Sequence, residues 1–367
     1  ESTTRNLFFS NAGMIFQGPS CPMMTTAERY DEFLQSLWSG EEENLVSDND
    51  MEALESVWDL MSRTNGKTPL EFVERIYDTM MATPGRAVRC HRMGSMRERI
   101  VASTAWVCDR IGDGEQVLDL GTNTGHQVLF WAGERPDARF TGIDISTNAI
   151  LIAEKWRERL SVGNVAFHRG NFEDRVDSID PSSIDTLVSC FTIETVDEYL
   201  RDDCPIPSWI IEAMKPGGRL LACMTVADWP LVARSIEKWR TYGFALSEFD
   251  VVPTGNGYVM PVIEMTMGGE DNGMTPDQIE YWCKKMYARV WADQIWGLGE
   301  DYPAPDIQEP DPDCDYCDQG FGEIVLQMGP FPDVTPPLDC PKCNGGCWEV
   351  WDMVMPSGWR EEMEGQR

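Results

Sequence analysis

The middle of the chain alternates short apolar segments with segments of helical length, and this alternation limits the fold more than any other feature. Strands are predicted at Gln116–Leu120, Arg139–Ile143, Val165–Arg169, Thr186–Cys190 and Arg219–Met224, and helices at Gly125–Glu134, Asn148–Leu160, Ser208–Met214 and Pro230–Tyr242. Strands separated by helices are expected to run parallel, with helices on both faces of the sheet. Two further strands, Phe244–Val252 and Tyr258–Met267, are predicted to pair as an antiparallel hairpin. The predicted fold is therefore α/β, with a seven-stranded and mostly parallel sheet.

Four regions are predicted along the chain. They are a helical N-terminal or cap region (1–85), a sheet core (86–268), a helix with a linker (269–313) and a cysteine-rich module (314–367). Apolar residues at helical spacing in Glu52–Met61 and Leu70–Met81 predict the helices of the first region. A helical segment over Arg86–Asp109 precedes the sheet. A helix over Thr275–Trp296 precedes a linker rich in proline and acidic residues.

The chain is strongly acidic, with 62 acidic against 30 basic residues and a net charge of −32. A protein that binds nucleic acid needs a cationic surface to neutralise phosphates. None of the four regions is net basic, so nucleic acid is a poor candidate for a partner. An alternative interpretation is a proteome adapted to high salt, in which the charge maintains solubility and says little about the substrate.

Composition also bears on the compartment. No run of apolar residues is long enough to span a membrane. The segment ESTTRNLFFSNAGMIF does not resemble a signal peptide, although the missing initiator Met leaves a removed leader open. Most of the 12 cysteines stand singly among apolar residues, as buried free thiols do. We therefore expect a protein of the reducing cytoplasm.

The stretch VLDLGTNTGHQ, residues 117–127, joins the first strand to the first helix of the sheet core. In such a loop, backbone N–H groups and a helix N-terminus can meet a polar ligand. The ligand would lie across the carboxyl end of the first strand, where the order of strands reverses. By itself the motif is weak, because many ordinary tight turns share it.

Three later features of the sequence support the interpretation of this loop as a ligand-binding loop. The second strand ends at Asp144, 25 residues after Asp119, where a carboxylate can accept hydrogen bonds from ribose hydroxyls. The third strand is followed by Asn171, and KPGGRLL introduces the fifth strand. Val128 stands where the dinucleotide-binding fingerprint G-x-G-x-x-G would have its third glycine. Together these motifs resemble the class I, Rossmann-like methyltransferases that use S-adenosylmethionine, over roughly residues 86–268.

The resemblance implies a role for each position that matches the family's motifs. Asp119 would orient the amino group of S-adenosylmethionine, and Asp144 would hold its ribose. Gly121, Asn123 and Gly125 would form the loop beside the methionine half of the cofactor. The adenine would be contacted by Ile145, Asn171 and Phe172, and the methyl-transfer side would be lined by Phe191 and Thr192. The family often has Asp where Asn171 stands, but an amide can still donate and accept hydrogen bonds.

Several of these residues also have plain structural interpretations. Asp144 could cap the end of its strand, Asn171 could be a turn residue and Phe191 could belong to the core. Methyl transfer needs a general base only if the acceptor is protonated. Candidates for a base or an acceptor-binding group are His91, His126, Glu194 and Asp197, each with a helix-end or packing role as its alternative. His168 is predicted to be a residue of the third strand with no role in catalysis.

The C-terminal module contains two C-x-x-C pairs, Cys314/Cys317 and Cys340/Cys343, with 22 residues between them. Two such pairs can complete a tetrahedral sulfur site for a structural zinc ion. Cys347 is a fifth thiol that could replace one ligand, and a disulfide is the alternative. A short acidic module with little apolar sequence would depend on the metal for its stability.

From the sequence we therefore expect a methyltransferase that acts on a small molecule or a protein side chain, with a zinc-ribbon-like extension. The competing hypothesis is an inactive, methyltransferase-like binding or assembly protein. The sequence predicts neither the acceptor nor the oligomeric state.

Overall fold

The computed structural model describes residues 24–38, 70–92, 96–172, 175–192, 206–224, 229–254, 259–279 and 283. The helices are α1 (Thr26–Trp38), α2 (Leu70–Met80), α3 (Pro84–Arg92), α4 (Met96–Cys108), α5 (His126–Glu134), α6 (Thr147–Leu160), α7 (Ser208–Ala213) and α8 (Trp229–Thr241). The strands are β1 (Gln116–Leu120), β2 (Arg139–Asp144), β3 (Val165–Arg169), β4 (Ile184–Cys190), β5 (Met214–Cys223), β6 (Phe244–Pro253) and β7 (Val259–Met267). The predicted helix Glu52–Met61, most of Thr275–Trp296 and the module 314–367 lie outside these residues.

The strands form one seven-stranded sheet in the order β3-β2-β1-β4-β5-β7-β6. β1 pairs in parallel with both β2 and β4, and β7 runs antiparallel to both β5 and β6. This confirms the predicted α/β fold with its terminal antiparallel hairpin. Because β1 lies between β2 and β4, the order of strands reverses beside it, and the carboxyl end of β1 faces the crevice where ligands bind in such sheets.

Alternate residues of each central strand belong to two different cores. Val117 and Val188 pack into one cluster, and their neighbours Leu118 and Leu187 pack into the other. This is the pattern of a sheet buried on both faces. Because side chains alternate, Asp119 is on the same face as Val117.

The N-terminal helices cover the Val117 face. α1 contributes the fully buried Tyr30 and Leu34 to the same cluster as Trp131 of α5 and Trp156 of α6. Helices α3 and α4 add Val88 and Ile100 to it. The helical segment expected over Arg86–Asp109 is two helices in the described residues, and the predicted boundary at residue 85 falls inside α3.

One strand begins earlier than predicted. β5 starts at Met214 instead of Arg219, so KPGG lies within the strand instead of before it. The pairing with β4 shifts register between Ile184 and Thr186, and Gly217 has a φ of 76°. The strand therefore contains an irregularity that the sequence presents as a turn.

Thr275 caps the helical turn that follows it, because the N–H of Thr275 donates to the side chain of Gln278 at 2.9 Å and the N–H of Gln278 donates to the Thr275 hydroxyl at 3.3 Å. None of the helices that the structure describes has the length and apolar character needed to cross a membrane.

Candidate functional site

The loop between β1 and α5 has an unusual backbone. Gly121, Asn123 and Gly125 all have positive φ angles, of 74°, 51° and 69°. The N–H groups of Gly121 and Thr122 donate to the carbonyl of Ile143 at 2.8 and 3.0 Å, which ties the loop to β2. Asparagine tolerates the left-handed conformation better than most residues. The middle Asn of G-T-N-T-G therefore suits the backbone of this loop.

Asp144 ends β2 and holds two segments together. One carboxylate oxygen accepts from the N–H of Asn123 at 2.8 Å, and the other accepts from the N–H of Ser146 at 2.8 Å. A carboxylate has about four acceptor sites, so two are left for further donors. The carboxyl group thus acts as a strand-end cap and still has capacity for a ligand.

Asp119 and Asp144 are two buried carboxyl groups at neighbouring strand ends. Burial raises the pKa of Asp119 to about 7, the neighbouring Thr122 opposes the rise and the charge of Asp144 adds to it. Burial raises the pKa of Asp144 to about 6, the N–H groups of Ser146 and Asn123 oppose the rise and Asp78 adds to it. Desolvation and like charge thus make both carboxylates costly until a cation or a set of donors compensates them.

The glycines of the site are required by close packing inside the protein. A Cβ on Gly121 would lie 2.1 Å from Oγ1 of Thr192, and one on Gly125 would lie 2.5 Å from the ring of Phe167. A Cβ on Gly142 of β2 would lie 2.6 Å from Oγ1 of Thr122. The sequence interpretation explained Gly121 and Gly125 by the approach of a ligand. The structure supplies a second and independent reason for both.

The residues predicted around the adenine follow the ends of β2 and β3. Ile145, Asn171 and Phe172 are each half-buried. The N–H of Gly170 donates to the carbonyl of Asp144 at 2.9 Å, which brings the loop after β3 beside the end of β2. Nε1 of Trp209 donates to the carbonyl of Phe172 at 2.6 Å and fixes that residue's main chain.

Phe191 follows β4 with a φ of 60°, which is unusual for a bulky residue. Its N–H donates to the carbonyl of Cys223 at 2.8 Å, and its ring packs partly against the core. Thr192 comes next and contacts Gly121, as the distances above require. The end of β4 thus lies directly against the loop after β1.

The two histidine candidates lie together, away from solvent. His91 of α3 and His126 of α5 are 5% and 3% exposed, and their rings meet edge to face with centroids 4.5 Å apart. Nδ1 of His126 shares a 2.7 Å hydrogen bond with the hydroxyl of Tyr30. Burial lowers the pKa of both imidazoles, to about 4 for His91, so both rings are neutral at pH 7. Such packing favours a positioning role over proton transfer to a substrate.

The other predicted functional residues lie elsewhere. Glu194 and Asp197 are outside the described residues, and so are Cys314, Cys317, Cys340, Cys343 and Cys347. Within the part of the chain that the structure describes, no group of three or more His, Cys, Asp or Glu residues could hold a metal ion. His168 is half-buried, as its strand interpretation anticipated, with Nε2 3.5 Å from the Ser178 hydroxyl.

Sequence reasoning missed several residues that shape the site. The side chain of Asp78 accepts from the hydroxyl of Ser146 at 2.6 Å and from the N–H of Asn148 at 3.1 Å. Glu74, also on α2, forms an ion pair of 2.5 Å with Arg169 at the end of β3. Ser146 could have been found, since a serine directly before a helical segment is a common N-cap. Asp78 and Tyr30 carry no local signal, because their partners are 68 and 96 residues away.

Residues 111–271 match the family model described as a methyltransferase domain. The matched range contains all seven strands, whereas α1 to α4 precede it. The loop, both carboxyl groups and the residues predicted to contact adenine are within the match. Tyr30, Asp78 and His91 are outside it.

Two characterised proteins share shorter stretches with the chain. The erythromycin 3''-O-methyltransferase of Saccharopolyspora erythraea is 30% identical over 111 residues, which are 30% of this chain and 34% of that protein. The release factor glutamine methyltransferase of Vibrio cholerae is 42% identical over 60 residues, 16% of this chain and 21% of that protein. The chain therefore aligns with about a third or less of each relative.

Among solved structures, M. capricolum TrmK, in complex with S-adenosylhomocysteine, is 15% identical. The match covers 55% of this chain and 88% of the TrmK chain, and its TM-score is 0.40. The similarity to a methyltransferase domain therefore rests on the family match over residues 111–271.

Proposed function

We propose that the chain is a methyltransferase that uses S-adenosylmethionine and transfers its methyl group to a small molecule or to a protein side chain. The observation that carries the proposal is Asp144, which lies at the end of β2, anchors Asn123 of the glycine loop and keeps acceptor capacity for a diol. The family match over residues 111–271 supports the same activity.

The chemistry of the side chains fits this cofactor. A cationic amino group would compensate the buried carboxylate of Asp119, and ribose hydroxyls would donate to Asp144. The half-buried Ile145 and Phe172 offer apolar surface for a base, and Asn171 offers an amide for its edge. S-adenosylmethionine, when bound, supplies an electrophilic methyl group on a positively charged sulfur. The protein's main task is then to hold the acceptor in line with that group.

The proposed acceptor class draws on the names of two relatives and on the composition of the chain. The two relatives in the comparison are named as an O-methyltransferase of erythromycin and as a glutamine methyltransferase of release factors. Both names fit a small-molecule or protein acceptor. The acidic composition argues against a nucleic-acid acceptor. We propose a cytoplasmic location because the single cysteines among apolar residues fit a reducing compartment better than a disulfide framework.

The test is calorimetry with S-adenosylmethionine and S-adenosylhomocysteine on the wild type and on Asp144→Ala. We expect the wild type to bind both, and Asp144→Ala to bind at least tenfold more weakly because it loses charged hydrogen bonds to the ribose. Asp113→Ala is the matched control, since Asp113 is an exposed aspartate near the opposite end of β1. Absence of wild-type binding at millimolar cofactor would reject the proposal. Binding without methyl transfer to any tested acceptor would favour the inactive binding protein.

We further propose that Cys314, Cys317, Cys340 and Cys343 hold one structural zinc ion. The support is the spacing of the two C-x-x-C pairs. Four sulfur ligands would leave no open position on the metal, so its role would be to stabilise the C-terminal module.

A further inference from the structure

Ser146 is a fully buried residue that joins helix α2 to the carboxylate at the end of β2. Its N–H donates to Oδ1 of Asp144 at 2.8 Å. Its hydroxyl donates to Oδ1 of Asp78, on α2, at 2.6 Å and accepts from the N–H of Ala149 at 3.1 Å. The N–H and the hydroxyl proton of one residue therefore go to two different carboxyl groups, one from the sheet and one from an N-terminal helix.

Asp78 fixes the orientation of the Ser146 hydroxyl, which is the N-cap of α6. A hydroxyl has one proton to donate, and directing this proton at Asp78 leaves the oxygen lone pairs free to accept from Ala149. Without the acceptor on α2, the proton would stay buried without a partner, or the side chain would turn towards another acceptor. Either change would loosen the cap and the main chain of Ser146.

Asp78 also contacts the first turn of α6 directly. Its side chain accepts from the N–H of Asn148 at 3.1 Å, and its main-chain carbonyl accepts from Nδ2 of Asn148 at 2.9 Å. The carboxyl groups of Asp78 and Asp144 thus both lie at the N-terminal end of α6, where the helix dipole favours negative charge. Residues 146–148 are therefore held between α2 and the end of β2.

The position of the Asp144 carboxylate depends on this turn. The carboxylate accepts from two main-chain donors, Asn123 on one side and Ser146 on the other. The second donor keeps its place only if Ser146 does. Ile145, which is predicted to contact the adenine, lies between Asp144 and Ser146 in the chain. A shift of Ser146 would therefore alter both the ribose side and the adenine side of the predicted site.

We propose that Asp78 is a positioning residue of the cofactor site, which fixes Ser146 and through it the carboxylate of Asp144. Helix α2 then contributes to the binding site, although it precedes the matched methyltransferase domain. This inference rests on the proposed function, because it assigns Asp78 a role in holding S-adenosylmethionine.

The test compares affinities for S-adenosylhomocysteine, measured by calorimetry. Asp78→Ala removes the acceptor and is expected to bind about fivefold to tenfold more weakly, the effect of losing one hydrogen bond that holds the Asp144 carboxylate. Asp78→Asn keeps an oxygen that can accept from the Ser146 hydroxyl, and it is expected to bind within about twofold of the wild type. If Asp78→Asn binds as weakly as Asp78→Ala, the acceptor is present without its effect and the proposal fails.

Asn148→Ala is the matched control for the docking of α2. It removes the amide that donates to the main-chain carbonyl of Asp78, but it leaves both donors to the Asp78 carboxylate. The melting temperature of the free protein should fall as it does in Asp78→Ala. The affinity should stay within about twofold of the wild type, because Ser146 keeps its hydrogen bonds. Equal losses of affinity in Asn148→Ala and Asp78→Ala would show that Asp78 only docks the helix, and would overturn the proposal.

A double-mutant cycle tests the route through Ser146. Ser146→Ala keeps the N–H that Asp144 accepts but loses the hydroxyl, so it should itself bind about fivefold more weakly. In that background, Asp78→Ala should cause less than about twofold further loss, because the hydroxyl through which it acts is gone. An undiminished further loss would contradict the route.

Ser146→Ala also keeps the proposal testable if Asp78→Ala does not fold, since wild-type affinity in Ser146→Ala would overturn it. Wild-type binding that Asp78→Ala leaves unchanged would overturn the role of Asp78 while the proposed function stands. Absence of wild-type binding would instead reject the proposed function, and this role with it.

Discussion

Asp119 shows at the scale of one residue how the burial of a carboxylate costs stability. Its folded pKa is raised to about 7, mainly by burial, from an ordinary value of 3.8. A group whose folded pKa is raised holds more protons in the folded state between those two values. The free energy of unfolding therefore falls as pH rises from about 4 to about 7, by a few kcal/mol at most.

We predict that Asp119→Asn is more stable than the wild type at pH 8 and that the difference shrinks towards pH 4. The amide keeps the shape of the side chain but has no charge to bury. Urea unfolding at pH 4.5, 6 and 8 measures the effect, with exposed Asp113→Asn as the control. The same variant should bind S-adenosylhomocysteine at least tenfold more weakly, because the partner of the cationic amino group is lost. A stability difference that is the same at every pH would contradict this account.

Sequence reasoning at this scale reached residues whose signal is local. Asp119 and Asn123 were predicted from the loop VLDLGTNTGHQ and Asp144 from the end of the second strand, and the structure joins Asn123 to Asp144 through a hydrogen bond of 2.8 Å. Their assignment to a cofactor stays a prediction. The buried state of His91 could not be predicted, because it depends on Trp38 of α1 and His126 of α5, whose rings lie beside it.

At the scale of elements, the join between β1 and α5 depends on Gly125 for two separable reasons. Its φ is 69°, and a Cβ there would lie 2.5 Å from Cζ of Phe167 and 3.0 Å from Cβ of Ala153. Gly114 shares only the first property, since its φ is 75° and nothing lies within 4 Å of the position of a Cβ. The two glycines therefore separate backbone strain from overpacking.

We predict that Gly114→Ala lowers the free energy of unfolding by about 1 kcal/mol, through backbone strain alone. Gly125→Ala should lower it by about 2–4 kcal/mol, because α6 and β3 must also move to admit the methyl group. Chemical denaturation of both variants gives the comparison. Adding Phe167→Leu to Gly125→Ala should recover part of the loss. Equal losses at the two glycines would show that packing against Phe167 is not limiting.

Most strands were predicted to within one or two residues, because each is a short run rich in apolar residues. β1 and β3 have the predicted bounds, and β5 is the exception. Proline and two glycines usually mark a turn, yet here pairing with β4 holds them in the strand. Tertiary pairing outweighed local preference at that point, and a single sequence does not report such pairing.

At the scale of the whole molecule, the methyltransferase domain and the cysteine pairs are predicted to be independent. The residues assigned to the cofactor fall between Asp119 and Phe191, whereas the predicted metal ligands fall between Cys314 and Cys343. The acidic composition, with a net charge of −32, does not connect the two regions. If the regions are independent, removing the metal should leave cofactor binding unchanged.

We predict about one zinc ion per chain in freshly purified protein, measured by elemental analysis. Cys340→Ser should lose the zinc, because a tetrahedral site needs all four thiolates. Cys347→Ser is the matched control and should retain it. A chelator should release the metal and make the C-terminal module more sensitive to protease, since metal binding supplies the folding energy of such modules. Affinity for S-adenosylhomocysteine should stay within about twofold throughout.

Zinc well below one per chain would reject the metal site. Loss of zinc in Cys347→Ser but not in Cys340→Ser would give the fourth ligand to Cys347, and a fall in cofactor affinity on chelation would show that the two regions are coupled.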